Sequence, residues 1–208
     1  MPTFDERAPD WDTPRRIARA EEAAETIAAA IDILPGCRTI EVGAGTGLLG
    51  LALRPQLGPL VLADTSDGML AEAARKIRDG GLDGVSAVHF DLATDAAPPG
   101  APFDLVVSLL LLHHVQDTRA ALAGMYGLLA PGGQVAAIDL DTEDGSFHSP
   151  DAEGVHHHGF DRARLVELAR DAGFTEVRVG DGHPIDDEGR AYPMFLLTAR
   201  RSEAGTGR

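Results

Sequence analysis

Three glycines at alternate positions constrain this chain more than any other feature: Gly43, Gly45 and Gly47 follow the apolar run Thr39-Ile40-Glu41-Val42 and precede Leu48-Leu49-Gly50-Leu51-Ala52-Leu53. A strand that enters a helix through such a loop brings its backbone close to a ligand with no Cβ in the way, so residues 43–47 are predicted to cradle one. Two carboxylates frame the loop. Glu41 lies at the end of the first strand, and Asp64 closes the next apolar run, Pro59-Leu60-Val61-Leu62-Ala63. A carboxylate there can accept hydrogen bonds from both hydroxyls of a ribose. Acids at the ends of adjacent strands, with glycines between them, predict a nucleoside site.

The rest of the chain alternates strand and helix patterns, which predicts an α/β fold with a mostly parallel sheet covered by helices on both faces. Thr13-Pro14 caps a helix whose apolar stripe is Ile17, Ala20, Ala24, Ile27 and Ile31, and Ser66 caps another carrying Met69, Leu70, Ala73, Ala74 and Ile77. A strand over 85–90 delivers Asp91. Residues 103–111 are so continuously apolar that a central strand buried on both faces is expected. Asp117 caps a helix with Leu122, Met125, Tyr126 and Leu129 on one side, and a strand over 134–140 follows. Residues 141–159, rich in Asp, Gly and His, predict a long loop of the functional or mobile kind. Asp161 then opens a helix with Leu165, Leu168, Ala169 and Ala172 on its buried side, strands at 175–179 and 193–199 complete the pattern, and 202–208 is expected to be disordered.

Charge narrows the partners. With 33 acidic against 18 basic side chains the formal charge is -15, which repels polyanions, so nucleic acid and anionic membrane are not expected and a small neutral or cationic substrate fits better. Cys37 is the only cysteine, which rules out an internal disulfide or a cysteine-rich zinc site and fits a reducing compartment. The N-terminal residues lack a basic and apolar leader pattern, and no apolar run is long enough to span a bilayer. A cytoplasmic monomer or homodimer is expected.

In this order the residues resemble the class I S-adenosylmethionine-dependent methyltransferases, close to the small bacterial type 11 and type 25 domains. Glu41-Val42-Gly43-Ala44-Gly45-Thr46-Gly47 is similar to their first motif, Asp64 to their second acidic position and Asp91-Leu92 to their adenine-side position. Phe103 to Ser108, continuing through Leu112-His113-His114-Val115, resembles their fourth-strand motif, and Leu129-Ala130-Pro131-Gly132-Gly133 their turn before strand five. The likeness covers about residues 5–200. It implies a Rossmann-like three-layer αβα sandwich, with a seven-stranded, mostly parallel sheet whose last strand is antiparallel between strands five and six. It also implies a lid segment over 1–35, the methyltransferase domain over 36–201 and a tail over 202–208. Gly45-Thr46-Gly47-Leu48-Leu49-Gly50 is formally a dinucleotide fingerprint as well, so an NAD(P)-dependent oxidoreductase is the rival reading, and a non-catalytic cofactor-binding module a third. The rival lacks chain length for a second nucleotide half and a substrate domain.

The resemblance implies the following roles. The amides of residues 43–47, including those of Gly43, Ala44, Gly45 and Gly47, and the helix they open would receive the carboxylate of S-adenosylmethionine, and Glu41 its ammonium or an intervening water. Asp64 would hold the ribose, Asp91 and the Leu92 amide the adenine, with Thr65 and Met69 flanking the base. Ser108 would lie near the sulfonium. Transfer would leave S-adenosylhomocysteine and a methylated small molecule. His113 and His114, just past the fourth strand, are the candidate catalytic bases. His158, beside Gly159-Phe160, is expected to face the substrate. Trp11 is either an aromatic face for a cation or an anchor for the lid. No metal is expected, because the consecutive His156, His157 and His158 in an extended segment point to opposite sides.

Overall fold

Strand β1 (Thr39–Val42) is buried along its whole length because it has a parallel neighbour on each side: β2 (Leu60–Asp64) and β4 (Phe103–Leu109). The computed structural model describes residues 3–149, 152, 154–187 and 189–203. With β3 (Val85–His89), β5 (Leu129–Leu140), β6 (Thr175–Asp181) and β9 (Met194–Arg200), these strands form one sheet in the order β3-β2-β1-β4-β5-β9-β6. Strand β9 is antiparallel to both of its neighbours. The seven-stranded Rossmann-like sandwich expected from the sequence is therefore the observed architecture.

The period-two alternation of strand side chains builds two cores from one sheet. In β4, Val106 joins Val135, Ala137, Leu122, Met125 and Leu165 on one face. Leu105 and Val107 join Ala136, Ile138, Ala23, Ile27, Leu49 and Leu53 on the other. Helices α5 (Thr118–Leu128) and α6 (Arg162–Asp171) thus cover the first face, and α2 (Pro14–Ala30) with α3 (Leu48–Leu53) the second. Helix α4 (Asp67–Asp79) packs Ala73 against Leu60 and Leu62. The caps act as the sequence suggested: Thr13, Ser66, Asp117 and Asp161 each accept a backbone N–H from the first turn of their helix.

Some expectations are corrected. Ile17, placed on the buried stripe of α2, is 37% exposed, because the buried residues of that helix begin only at Ala20. Leu129 opens β5 rather than ending α5, and Phe103 pairs with it before a register shift absorbs Pro131 and the glycines. A short helix α1 (Phe4–Arg7) and a hairpin of β7 (Ile185–Asp187) and β8 (Arg190–Tyr192) were not anticipated. Of the tail expected to be disordered, residues 204–208 lie outside the described residues.

Candidate active site

The glycine loop, Asp64, Asp91 and both histidines of the fourth-strand motif gather at the carboxyl ends of β1 to β4. Gly47 has φ 82°, and a Cβ on it would stand 2.5 Å from Leu62 Cδ1; Gly43 has φ 68°, and a Cβ there would meet Leu111 Cδ1 at 2.6 Å. Side chains larger than hydrogen do not fit either place. The turn is held by its own amides: Ala44 N–H donates to the Ala63 carbonyl (3.0 Å), Gly47 N–H to the Ala44 carbonyl (2.8 Å) and Gly45 N–H to Asp64 Oδ2 (2.6 Å). That leaves less for an outside carboxylate than the sequence reading assumed, and α3 behind the loop is only 6 residues long.

Asp64 organises two connections at once, since its Oδ1 also accepts from Ser66 N–H at 2.9 Å. A carboxylate has about four acceptor positions, so Asp64 keeps two for a ligand. Glu41 is buried beneath α3, where its Oε2 accepts from Gly50 N–H at 2.8 Å. Burial pushes its carboxyl up to about 8 and the Asp64 charge adds to this, against the opposing pull of the Gly50 amide and Lys76. Thr65 is exposed and Met69 is buried. Asp91 Oδ1 accepts from Ala93 N–H (2.8 Å) in a turn closing β3, while Leu92 packs against Gly124 of α5. Ser108 is 1% exposed, and its Oγ has no hydrogen-bond partner among the described residues.

The N-terminal segment covers this cradle. Asp12 accepts from Thr46 Oγ1 at 2.5 Å and pairs with Lys76 Nζ at 2.5 Å, and Asp5 Oδ1 accepts from Ser66 Oγ and Gly68 N–H. Trp11 sits between them with Arg16 stacked 4.0 Å from its ring centre; its Nε1 and Met69 Sδ both lie 3.9 Å from the Cβ position of Gly45. Phe4 touches Trp11 (5.7 Å between centroids) on one side and His114 (5.5 Å) on the other. An aromatic wall thus runs from the glycine loop to the histidines.

Those histidines owe their place to a backbone turn. Leu110 adopts φ 56°, unusual for a leucine, while its N–H donates to Ile138 at 2.8 Å. The chain then enters a short 3-10 turn, Leu112–His114, that drops His113 into the interior beside Asp139 of β5. Asp139 is fully buried; its carboxylate accepts from the His113 ring at 2.6 Å and from the backbone N–H groups of His113 and Leu140. His114 is half-buried and its Nδ1 lies 2.8 Å from the Gly154 carbonyl. The described parts of the segment after β5 pack on the sheet edge: Phe160 N–H donates to the Leu140 carbonyl, Thr142 N–H to the Phe160 carbonyl, and the amides of His156 and His157 to the His113 carbonyl. This brings His148 Nε2 to 3.0 Å from His113 Nε2. Burial and the neighbouring His113 and His114 push His148 down to about 4, and burial with His113 lowers His114, so both rings are neutral at pH 7.

Where the sequence reading expected His158, the structure puts His148. The His158 side chain is 63% exposed and pairs with Glu143 at 3.4 Å, while His157 binds the Val115 carbonyl at 2.9 Å. The triplet therefore spreads in different directions. Sequence reasoning also missed Asp12 and Asp139; the second left a signal, a lone carboxylate inside the apolar run Ala136-Ala137-Ile138-Asp139-Leu140.

A protein-family profile described as a methyltransferase domain matches residues 40–135. An uncharacterized methyltransferase of Mycobacterium tuberculosis is 35% identical over 103 residues, 50% of each chain, so this chain matches about half the length of such curated relatives. A ubiquinone/menaquinone biosynthesis C-methyltransferase of Shewanella sp. (strain ANA-3) is 28% identical over 173 residues, covering 69% of this chain and 68% of that one. Among solved structures, a SAM-dependent methyltransferase from Aquifex aeolicus superposes with a TM-score of 0.69 at 19% identity, covering 94% of this chain and 97% of the other.

Proposed function

We propose that the chain is a class I S-adenosylmethionine-dependent methyltransferase, and that it moves the methyl group of S-adenosylmethionine to a small-molecule acceptor held beside His113, His114 and His148. The observation that carries this reading is the shared edge: the Gly45 amide and Asp64 2.6 Å apart at the ends of β1 and β2, and the histidine cluster at the end of β4, joined by Phe4 and Trp11. The residues fit the cofactor. Asp64 retains acceptor capacity for two hydroxyls, Gly43 and Gly47 take the left-handed turn that packs the loop onto Leu111 and Leu62, and Ser108 Oγ is buried without a partner among the described residues.

S-adenosylmethionine supplies a methyl group on a sulfonium, which a nucleophile takes in one displacement, leaving S-adenosylhomocysteine. The chain supplies the surroundings. Asp64 would bind the ribose hydroxyls; Asp91 and the Leu92 amide would take the adenine, with Thr65 and Met69 beside it; and Gly43, Ala44, Gly45 and Gly47 would receive the amino-acid end. Glu41 responds to an ammonium brought near it by taking its charged form. Ser108 stands close to the reacting centre. Trp11 and Phe4 exclude water and offer aromatic faces that suit a cation, residues 3–13 acting as the lid. His113 and His114 form the acceptor side, where an acceptor bearing O–H, S–H or N–H must lose a proton.

The formal charge of -15 supports a neutral or cationic acceptor over nucleic acid or an anionic membrane, and the lone buried Cys37 supports a cytoplasmic setting, as monomer or homodimer. Among the described residues no helix is long and apolar enough to cross a membrane. Titration with S-adenosylhomocysteine should release or absorb heat at one site per chain, and labelled cofactor should pass its methyl group to a compound in a metabolite extract. No heat with that ligand, together with tight binding of a nicotinamide dinucleotide, overturns the reading; binding without any transfer makes the chain a cofactor-binding module.

The lid contributes measurably. Asp12→Ala removes the acceptor for both Thr46 and Lys76. Losing about 1–2 kcal/mol of latch should weaken S-adenosylhomocysteine binding about tenfold in calorimetry with little change in thermal stability.

A further inference from the structure

Among the described residues, one group of three ligand-bearing side chains converges: His113, His114 and His148, each with a ring nitrogen within 4.8 Å of the other two. Two of the three rings are fixed from behind. His113 Nδ1 lies 2.6 Å from Asp139 Oδ1, and that carboxyl group also accepts from two backbone N–H groups, so it backs the ring at Nδ1 and leaves Nε2 facing forward. His114 Nδ1 faces the Gly154 carbonyl at 2.8 Å with the same result. Ligating histidines in metal sites typically have this rear support, a carboxylate or a carbonyl on the second ring nitrogen. The front fits as well. Nε2 of His113 and Nε2 of His148 stand 3.0 Å apart; two nitrogens each about 2.0–2.1 Å from one ion would stand about 2.9–3.4 Å apart for bond angles between octahedral and tetrahedral. A hydrogen bond between His113 and His148 accounts for that one contact but not for the third ring, His114, which brings a nitrogen within 4.8 Å of both.

We propose that His113, His114 and His148 bind one divalent transition-metal ion of the zinc type, with a fourth position left open on the acceptor side. Three imidazole ligands favour zinc, cobalt, nickel or copper over magnesium or calcium, which want oxygen. Three protein ligands with an open position are also the pattern of ions that bind a reacting molecule, as opposed to ions closed off by four side chains. A hydroxyl or thiol of the acceptor bound there gives its proton to solvent more readily than when free. The expectation of no metal was argued from the consecutive histidines, of which His157 binds Val115 and His158 pairs with Glu143; the converging group comes from two separated segments.

The site is tested without any S-adenosyl compound, so its failure is distinct from failure of the methyltransferase reading. Tag-free full-length protein, stripped with a chelator, is titrated with zinc chloride by calorimetry and with cobalt chloride by visible absorption. One equivalent should bind, and cobalt should show the strong visible bands of a four-coordinate nitrogen site. His148→Ala, a change to a half-buried loop side chain outside the glycine loop, should weaken binding at least 100-fold while the affinity for S-adenosylhomocysteine stays at its wild-type value and the melt stays cooperative. Asp139→Asn should cost about 10–100-fold through loss of rear support. The double variant His156→Ala/His158→Ala should bind like wild type. Absence of stoichiometric binding, unchanged binding in His148→Ala, or loss of binding in the double variant each overturns the proposal.

Discussion

Asp64→Ala should bind S-adenosylhomocysteine at least 100-fold more weakly than wild type while keeping its folded circular dichroism spectrum. The carboxylate holds Gly45 N–H at 2.6 Å and Ser66 N–H at 2.9 Å, so one side chain sets the shape of the glycine loop and the entry into α4. Hydrogen bonds to a charged group contribute about 1.5–3 kcal/mol each. Removing the acceptor loosens both segments and takes away the two positions assigned to ribose hydroxyls. A loss of about 3 kcal/mol is roughly 150-fold in affinity. Asp64→Asn keeps one acceptor oxygen and should fall between wild type and alanine. Calorimetry decides: an alanine variant within threefold of wild type would remove Asp64 from the ligand site.

The second large effect is on stability. Glu41 has a folded-state pKa of about 8 against an ordinary value of 4.5, caused first by burial. Between those values the folded chain holds a proton that the unfolded chain has released. The stability associated with that proton is complete below pH 4.5 and is lost as pH rises toward 8, on the order of 4 kcal/mol across the window. Glu41→Gln keeps an oxygen for the Gly50 amide and cannot ionise. Urea melts of the two proteins at pH 5 and pH 8 should therefore diverge, the glutamine variant gaining relative to wild type at the higher pH. A stability difference that does not change with pH would mean that the carboxyl titrates in the usual range. Such a cost, retained beneath a ligand loop, is the kind of destabilisation that a bound ammonium offsets.

Fold was legible because local signals agreed with one another. Thr13-Pro14, Ser66, Asp117 and Asp161 each announced a helix start, and the unbroken apolar run after Phe103 announced a central strand. What escaped was short or non-local. Helix α1 has 4 residues and each strand of the β7–β8 hairpin 3, too few for any period to emerge. The acidic cradle could be read because strand ends are sequence features. The histidine cluster could be read only in part, since the position of His148 depends on the pairing of Asp141 with Phe160, contacts that no local pattern encodes. His158 was favoured for its neighbours Gly159 and Phe160, yet Glu143 holds it at the surface.

The antiparallel strand β9 sets a timetable for synthesis. Among the described residues β6 joins the sheet only through β9, and the edge of β5 that carries Asp139 stays unpaired until Phe195 arrives opposite it. A nascent chain short of residue 194 therefore shows a long, apolar, hydrogen-bond-hungry border to water. The buried couple of His113 and Asp139 is therefore sealed only after β9, made 55 residues later than Asp139, has docked along β5.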